Sequence, residues 1–395
     1  MTHFFYVDVG SRVMLFDLVI IGAGPAGSAA AATAARLGRS VALIDKAQFP
    51  RDKLCGGGVT ERSRAYFTEA FGADLDLTDM ISTTQVAFWH DGTQLCEMSD
   101  VTPVHLAMRL SFDDQMHARA IALGAKDFIG QTVADISGTT VTLADGTEIV
   151  GKVLIGADGV NSQVARSLFG QAIDHDTIGF ALEVELDRTP TETDVLRIDF
   201  NAADWGYGWR FPKTRSVTVG VGGLQTANPD MKAAMSAYCA SIGAKDVPKY
   251  KGHFLPFGHF RAQPGLGAIL LAGDAAGLVD PITGEGIAYA IKSGQLAAQS
   301  AHEALLRGKP DTAFSTYRSK LRPIHRNLKI ARWLRRLVFS GRFKHAFFDR
   351  MGQSGQLRYD YLHVLAGQME YPQLLIKAAR RLPGFALKAL LRARP

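Results

Sequence analysis

The chain has 395 residues, of which 47% are apolar and 21% charged, close to the average for globular proteins, which excludes a disordered, collagen-like or disulfide-stapled chain. Its three cysteines (Cys55, Cys96, Cys239) are too few and too scattered for a disulfide framework or a metal cluster, so a reducing compartment is expected. Charge is uneven: residues 301–395 carry 20 Lys+Arg against 5 Asp+Glu, whereas residues 1–300 carry 24 against 33.

The first thirteen residues read as an extension, with Met14 as an alternative start. Phe16–Ile21 is a short apolar run, read as a buried strand. No stretch of about 20 residues free of charges and turn formers qualifies as a membrane span. The nearest, Leu18–Ala35, is broken by Gly22, Gly24, Pro25 and Gly27, and Asp17 argues against a cleaved signal peptide. Ala26–Gly38 reads as a helix and Ser40–Asp45 as a second buried strand, which together make a βαβ unit. Asp91-Gly92 and Asp145-Gly146 mark two hairpins, with a helix over Ser111–Gly124 between them and a strand over Lys152–Ile155 after them. From Ile178 to His259 alternating segments (FALEVEL, VLRIDF, YGWRFP, SVTVGVG) predict a separate antiparallel sheet. A buried strand at Ala268–Gly273 and a helix over Gly286–Leu306 follow, and the rest is helical and basic. The expected division is 14–175 with 261–308 as an interleaved nucleotide domain, 176–260 as a substrate domain that 84–106 can join, and 309–395 as a helical region.

Gly22-Ala-Gly24-Pro-Ala26-Gly27 stands where a dinucleotide fingerprint requires it, after a strand and opening a helix. The first glycine permits the turn, the second lets a pyrophosphate touch backbone, and the third lets helix and strand pack closely. The helix start offers free N–H groups and a partial positive charge. Asp45 ends the second strand, where an acid accepts ribose hydroxyls. Gly156-Ala-Asp158-Gly159 and Gly273-Asp274-Ala-Ala-Gly277 each follow a strand, with Asp-Pro281-Ile-Thr-Gly284-Glu-Gly286-Ile287 close behind. A mobile nicotinamide cofactor needs little beyond the βαβ unit; a held flavin also needs groups for its ribityl chain and ring, and these segments provide them.

Together these segments resemble the FAD-dependent oxidoreductases of the para-hydroxybenzoate hydroxylase structural class. The resemblance implies a Rossmann-like α/β domain interleaved with the antiparallel sheet. It implies pyrophosphate at Gly22–Gly27, adenosine ribose at Asp45 and ribityl or diphosphate at Asp274, with Arg109 as a cofactor-contacting residue. Lys46, Arg51, Cys55, Gly56, Gly57, Val133, Asp158, Gly159, Gly273, Pro281, Gly284, Gly286 and Ile287 complete the expected cofactor set.

Cys55-Gly56-Gly57-Gly58 is a loop without side chains, against which something flat or long can lie. In a strand, Tyr207, Trp209 and Phe211 point to one face and make an apolar wall, with Lys213 beyond Pro212. The bland alternative is sandwich core. Both segments resemble the geranylgeranyl reductase family, which saturates isoprenoid double bonds with reduced flavin. The resemblance implies that Gly57, Gly58, Tyr207, Trp209 and Phe211 line a lipid-chain cavity with the Cys55 loop at the flavin edge. Gly58-Val59-Thr60 is closer to the archaeal-lipid and quinone-tail branches than to the chlorophyll branch. Tyr207 and Trp209 are expected to stabilise cationic character in the alkene, and Cys55 to donate or relay the proton, the alternative being a small residue that packs the loop.

NADPH or ferredoxin is the expected electron donor. The basic helices, with a second stretch over Leu374–Arg394, suggest an anionic membrane interface, so the expected location is cytoplasmic or peripheral at the inner face of the cell membrane. A solvated capping face is the alternative, and nucleic acid is not an expected partner. His253 and His259 read as structural. The competing functions are a flavin monooxygenase or halogenase of the same fold, and a non-catalytic membrane-associated flavoprotein.

Overall fold

The computed structural model describes residues 8–9 and 11–380. Its first sheet is nine-stranded and runs 133–137, 140–143, 148–156, 11–21, 41–45, 126–129, with Ile269–Leu271 beside the C-terminal half of Glu148–Gly156. The central pairs are parallel. Leu18, Ile20, Leu43, Leu154 and Ile155 are wholly buried, as a parallel sheet covered on both faces requires. The first long strand begins at Ser11 and not at Phe16, because Glu148–Gly156 continues as its partner down to Val13. Residues 1–7 and 10 of the expected extension lie outside the described residues.

Small side chains let the helix Pro25–Arg36 (PAGSAAAATAAR) approach the helix Ile287–Leu306 closely. At the crossing, a Cβ on Gly294 would stand 2.0 Å from the Ala26 carbonyl oxygen. This brings the starts of both helices to the same end of the sheet, beyond the carboxyl ends of the parallel strands, where ligands of such sheets bind.

The second sheet has seven strands in the order 251–255, 179–187, 216–224, 207–212, 196–200, 86–90, 93–98. All its pairs are antiparallel except Val86–His90 with Leu196–Phe200. The helix Met231–Ser241 covers one face, with Met235 and Tyr238 clustered with Val219 of the sheet. The other face meets the nucleotide half, and its far end is closed by the C-terminal helices, where Val338, Phe348, Met351 and Tyr361 pack on Phe88, Ile198 and Phe200. A third, three-stranded sheet (58–59, 104–106, 81–83) bridges the two.

After Gly308 the chain is helical, with Ala313–Lys320, Arg322–Phe339, Gly341–Gln353 and Gly355–Leu365, and with residues 371–380 helical as well. The expected amphipathic stretch Leu374–Arg394 falls outside the described residues beyond position 380. Among the described residues no helix is long and apolar enough to cross a membrane.

Candidate functional site

A cavity of about 680 Å³ lies between the two large sheets. One half is built from the Gly22 turn. Gly22 sits at φ +97°, and a Cβ there would stand 2.3 Å from the Ala157 oxygen; one on Gly27 would stand 1.6 Å from the Gly22 oxygen. Only glycine lets the turn, the next helix and the neighbouring strand come together. Gly24 caps the helix without any side-chain bond, so its first N–H groups are left for a ligand. The Asp45 carboxylate is pinned by Ala23 N at 2.7 Å and Ala47 N at 2.9 Å.

A second helix start opens on the same cavity. Gly286 caps Ile287–Leu306, again with no side-chain bond, and Gly284 turns into it at φ +70°. Asp274 lies beside this start, 3.7 Å from Lys53 Nζ. Glycine backbone, two bare helix starts and a ribose-height acid form a cradle that fits a dinucleotide whose second half is a flavin.

The opposite half is apolar: Val104, Ala181, Leu196, Ile198, Tyr207, Trp209, Phe211, Leu255 and Leu365 line it. The cations on the cavity wall (Lys46, Arg51, Lys53, Arg109, Arg166) come from segments of the dinucleotide half. The glycine loop separates the two halves and packs directly on the aromatic strand. A Cβ on Gly56 would stand 2.9 Å from the Phe211 ring and 3.3 Å from Trp209 Nε1. Trp209 in turn lies over Gly220, where a Cβ would stand 2.3 Å from its ring, so the glycine-rich partner strand makes room for the indole. Tyr207 Oη donates to the Thr283 oxygen at 2.5 Å and thereby ties the aromatic strand to the turn before the second helix start.

Under the loop lies a buried ionic cluster. Arg109, 5% exposed, forks onto Asp113 with two bonds of 2.7 Å, and Asp113 also meets Arg51 at 3.0 Å. Burial works against the Arg109 charge, but Asp113 and then Cys55 outweigh it and hold the guanidinium protonated. Cys55 N donates to Glu183 Oε1 at 3.1 Å, while Glu183 Oε2 is buried and without a partner. Burial first, and Glu185 second, push the Glu183 carboxyl up to about 8. Lys213 Nζ donates to the oxygens of Gly56 and Ala107.

Of the residues singled out in the sequence, Gly22, Gly24, Ala26, Asp45, Lys46, Arg51, Cys55, Gly56, Gly57, Gly58, Arg109, Val133, Asp158, Gly159, Tyr207, Trp209, Phe211, Asp274, Gly284, Gly286 and Ile287 line this one cavity. Gly27, Gly273 and Pro281 are not on its wall: Gly27 packs on Gly22 and Gly273 on Ala26, so these two act through backbone packing. Asp158 touches the cavity while its oxygens receive Ser162 Oγ (2.6 Å), Gln163 N (2.6 Å) and Val164 N (3.2 Å), which makes it a cap for the helix Gln163–Phe169. Arg109 is paired and buried, not a solvated helix-start arginine. His253, read as structural, also lines the cavity; burial, then Lys53, lowers it to about 4.

Sequence reasoning missed the second layer. Thr60 and Arg62 both bond Glu285, Arg62 also holds Glu370 at 2.6 Å, and Tyr371 Oη bonds Asp280 at 2.9 Å. These contacts bolt the C-terminal helices to the turn carrying Gly284, and Leu365 reaches the cavity wall. Nothing local in the sequence signals pairs more than 80 residues apart.

Residues 17–157 match the family model described as FAD dependent oxidoreductase. The chain is 32% identical to a menaquinone reductase of Mycolicibacterium smegmatis over 72% of its own length and 75% of that protein. It is 30% identical to a geranylgeranyl diphosphate reductase of Rhodobacter capsulatus over 75% of its length and 78% of that protein. A solved geranylgeranyl bacteriochlorophyll reductase-like protein from Thermoplasma acidophilum shares the fold with a TM-score of 0.76 at 20% identity, over 93% of this chain and 99% of that one. With a dinucleotide cradle facing an apolar channel across a Cys-Gly-Gly-Gly loop, the chain belongs to the geranylgeranyl reductase family of FAD-dependent oxidoreductases and is an oxidoreductase acting on CH–CH bonds.

Proposed function

We propose that the protein saturates carbon–carbon double bonds of a geranylgeranyl or polyprenyl chain, as part of a lipid or quinone tail. One observation carries this reading: the Cys55–Gly58 loop and the Tyr207–Trp209–Phe211 wall meet within a single cavity whose other half is a dinucleotide cradle. Gly22–Gly27, Asp45, Asp274 and the Gly284–Ile287 turn would hold FAD, which when bound and reduced would supply the hydride for one alkene carbon. Cys55 gives its thiol proton to the other carbon. An isolated alkene gains cationic character as this happens, and the faces of Trp209 and Tyr207 stabilise it. The apolar wall excludes water that would capture the charge.

The apolar half carries no lysine or arginine among its lining residues, which supports a substrate whose polar head stays outside. A matching outer surface exists on the helix Arg322–Phe339. Ile324, Leu328, Ala331 and Val338 face inward, while Arg322, Arg326, Lys329, Arg332 and Arg336 are exposed together with Trp333 and, beyond the helix, Phe343. This face is suited to an anionic bilayer from which the chain is drawn.

The test is mass spectrometry of isoprenoid products after incubation with anaerobically reduced, FAD-loaded protein, with NADPH and ferredoxin compared as donors. Geranylgeranyl diphosphate, a geranylgeranylated glycerolipid and a polyprenyl quinone serve as substrates. A gain of two hydrogens per saturated bond is the expected result. No mass gain from any of the three, with rapid reoxidation in air, would overturn the reading in favour of oxygen activation.

A further inference from the structure

Lys213 is the most secluded cation of the site, 1% exposed at the end of the aromatic strand. The same alternation that aims Tyr207, Trp209 and Phe211 at the cavity aims Lys213 beneath the glycine loop. Its two bonds go to neutral carbonyls, Gly56 O and Ala107 O at 3.0 Å, and among the described residues no carboxylate is bonded to it. Burying an ammonium without an anion is costly and is tolerated where the charge is used. The candidate anion is the sulfur of Cys55, one residue from the carbonyl that Lys213 holds.

We propose that Lys213 is the positioning residue for the proton-donating cysteine: its buried ammonium fixes the glycine loop from below and, together with the Arg109 guanidinium, provides the counter-charge to the Cys55 thiolate formed when the proton leaves. This rests on the reading of Cys55 as proton donor given above. In that step the S–H bond breaks, the proton forms the new C–H bond at the carbon that does not receive hydride, and the electron pair stays on sulfur. Lys213 keeps all its atoms throughout.

The groups facing Lys213 fit this role. Glu183 and Glu185 come from the strand Gly179–Asp187, one strand beyond the Ser216–Leu224 partner of the aromatic strand, Arg109 comes from the helix Arg109–Ala122, and Asp52 stands behind Glu183. Glu185 is occupied by Ser216 and Thr218, and Glu183 spends one oxygen on Cys55 N. Burial draws Lys213 down to about 8; among the groups that favour its charge Cys55 comes first, ahead of both glutamates.

The experiment is peptide-resolved alkylation of Cys55 by iodoacetamide across pH in oxidised FAD-loaded protein, comparing wild type with Lys213→Met, Lys213→Gln and Lys213→Arg. Removing an adjacent cation is expected to move the half-alkylation pH upward by about one unit or more. Lys213→Gln, which keeps a donor for the carbonyls, should move like Lys213→Met, and Lys213→Arg should restore the wild-type value. An unchanged midpoint in either neutral variant overturns the proposal. So does loss of FAD from both neutral variants with retention in Lys213→Arg, which would make the residue structural only. Alkene reduction by Cys55→Ala is measured in parallel. Full activity there would sink the proton-donor reading, whereas the alkylation midpoints still decide whether Lys213 acts on the sulfur.

Discussion

Three consecutive glycines, Gly56, Gly57 and Gly58, face three different neighbourhoods, so alanine at each should have a different effect. Gly57 sits at φ +70°, and a Cβ there would stand 2.0 Å from the Ala107 oxygen, a backbone atom that also receives Lys213. Left-handed strain costs about 1–2 kcal/mol for a residue with a Cβ. Displacing Ala107 also forfeits a hydrogen bond from a charged donor, about 1.5–3 kcal/mol. Gly56→Ala would press on the Phe211 ring from 2.9 Å, an overpacking of about 1–3 kcal/mol. At Gly58 the nearest atoms are Val104 at 3.9 Å and Phe211 at 4.0 Å, so alanine fits there and is neutral or stabilising by about 0.4–1 kcal/mol. Urea unfolding of the FAD-loaded protein, followed by far-UV circular dichroism, should rank the variants Gly57→Ala, Gly56→Ala, Gly58→Ala from least to most stable. A Gly58→Ala variant as unstable as Gly57→Ala would refute the reasoning, because it would mean that the loop does not lie where these distances put it.

Other outcomes follow from the same geometry. Cys55→Ala should retain the flavin spectrum while alkene reduction falls at least about tenfold, within the usual contribution of a positioned acid; single-turnover product analysis checks it. Glu183 has its carboxyl raised by burial, so its contribution to stability is full below the ordinary value of 4.5 and is lost as pH rises through about 8. The urea midpoint of wild type should therefore decline with pH across that window more steeply than that of Glu183→Gln, and parallel declines would count against it. Arg62→Met strands the buried Glu285 at a cost of about 3–5 kcal/mol, and Arg62→Met with Glu285→Gln should recover part of the loss in thermal unfolding. Flotation with anionic vesicles should weaken in Arg326→Glu with Lys329→Glu, whereas salt-insensitive or absent binding in wild type would remove the docking face.

The βαβ unit was legible because spacing alone identifies it: Gly22, Gly27 and Asp45 keep fixed offsets along a strand, a helix and a strand. The Cys55–Gly58 loop and the aromatic strand were legible as motifs, and the structure brings both to one cavity. Glu183 was hidden by the rule that makes strands readable. In FALEVEL the alternate polar positions pass for a solvent face, yet Ala181, Glu183 and Glu185 share the side that meets the glycine loop. The helix Glu61–Phe71 was missed because its apolar stripe is thin, with Phe67, Ala70 and Phe71 its buried apolar residues and the polar Arg62 and Ser63 buried beside them, although Thr60 and Gly72 are proper caps. Leu365, Glu370 and Tyr371 give no local sign at all, since their partners lie far off in sequence.

The bolts between distant segments also set an order for biosynthesis. The Gly22 turn and Asp45 leave the ribosome early, but the turn leans on Ala157 and so lacks its wall until the middle of the chain has emerged. Glu285 arrives later to neutralise Arg62, and Glu370 and Tyr371 close the far side only some 85 residues after that. At about 5–20 residues per second, tens of seconds separate the first cofactor-facing residue from the last. A nascent chain therefore carries its nucleotide fingerprint long before it has a pocket.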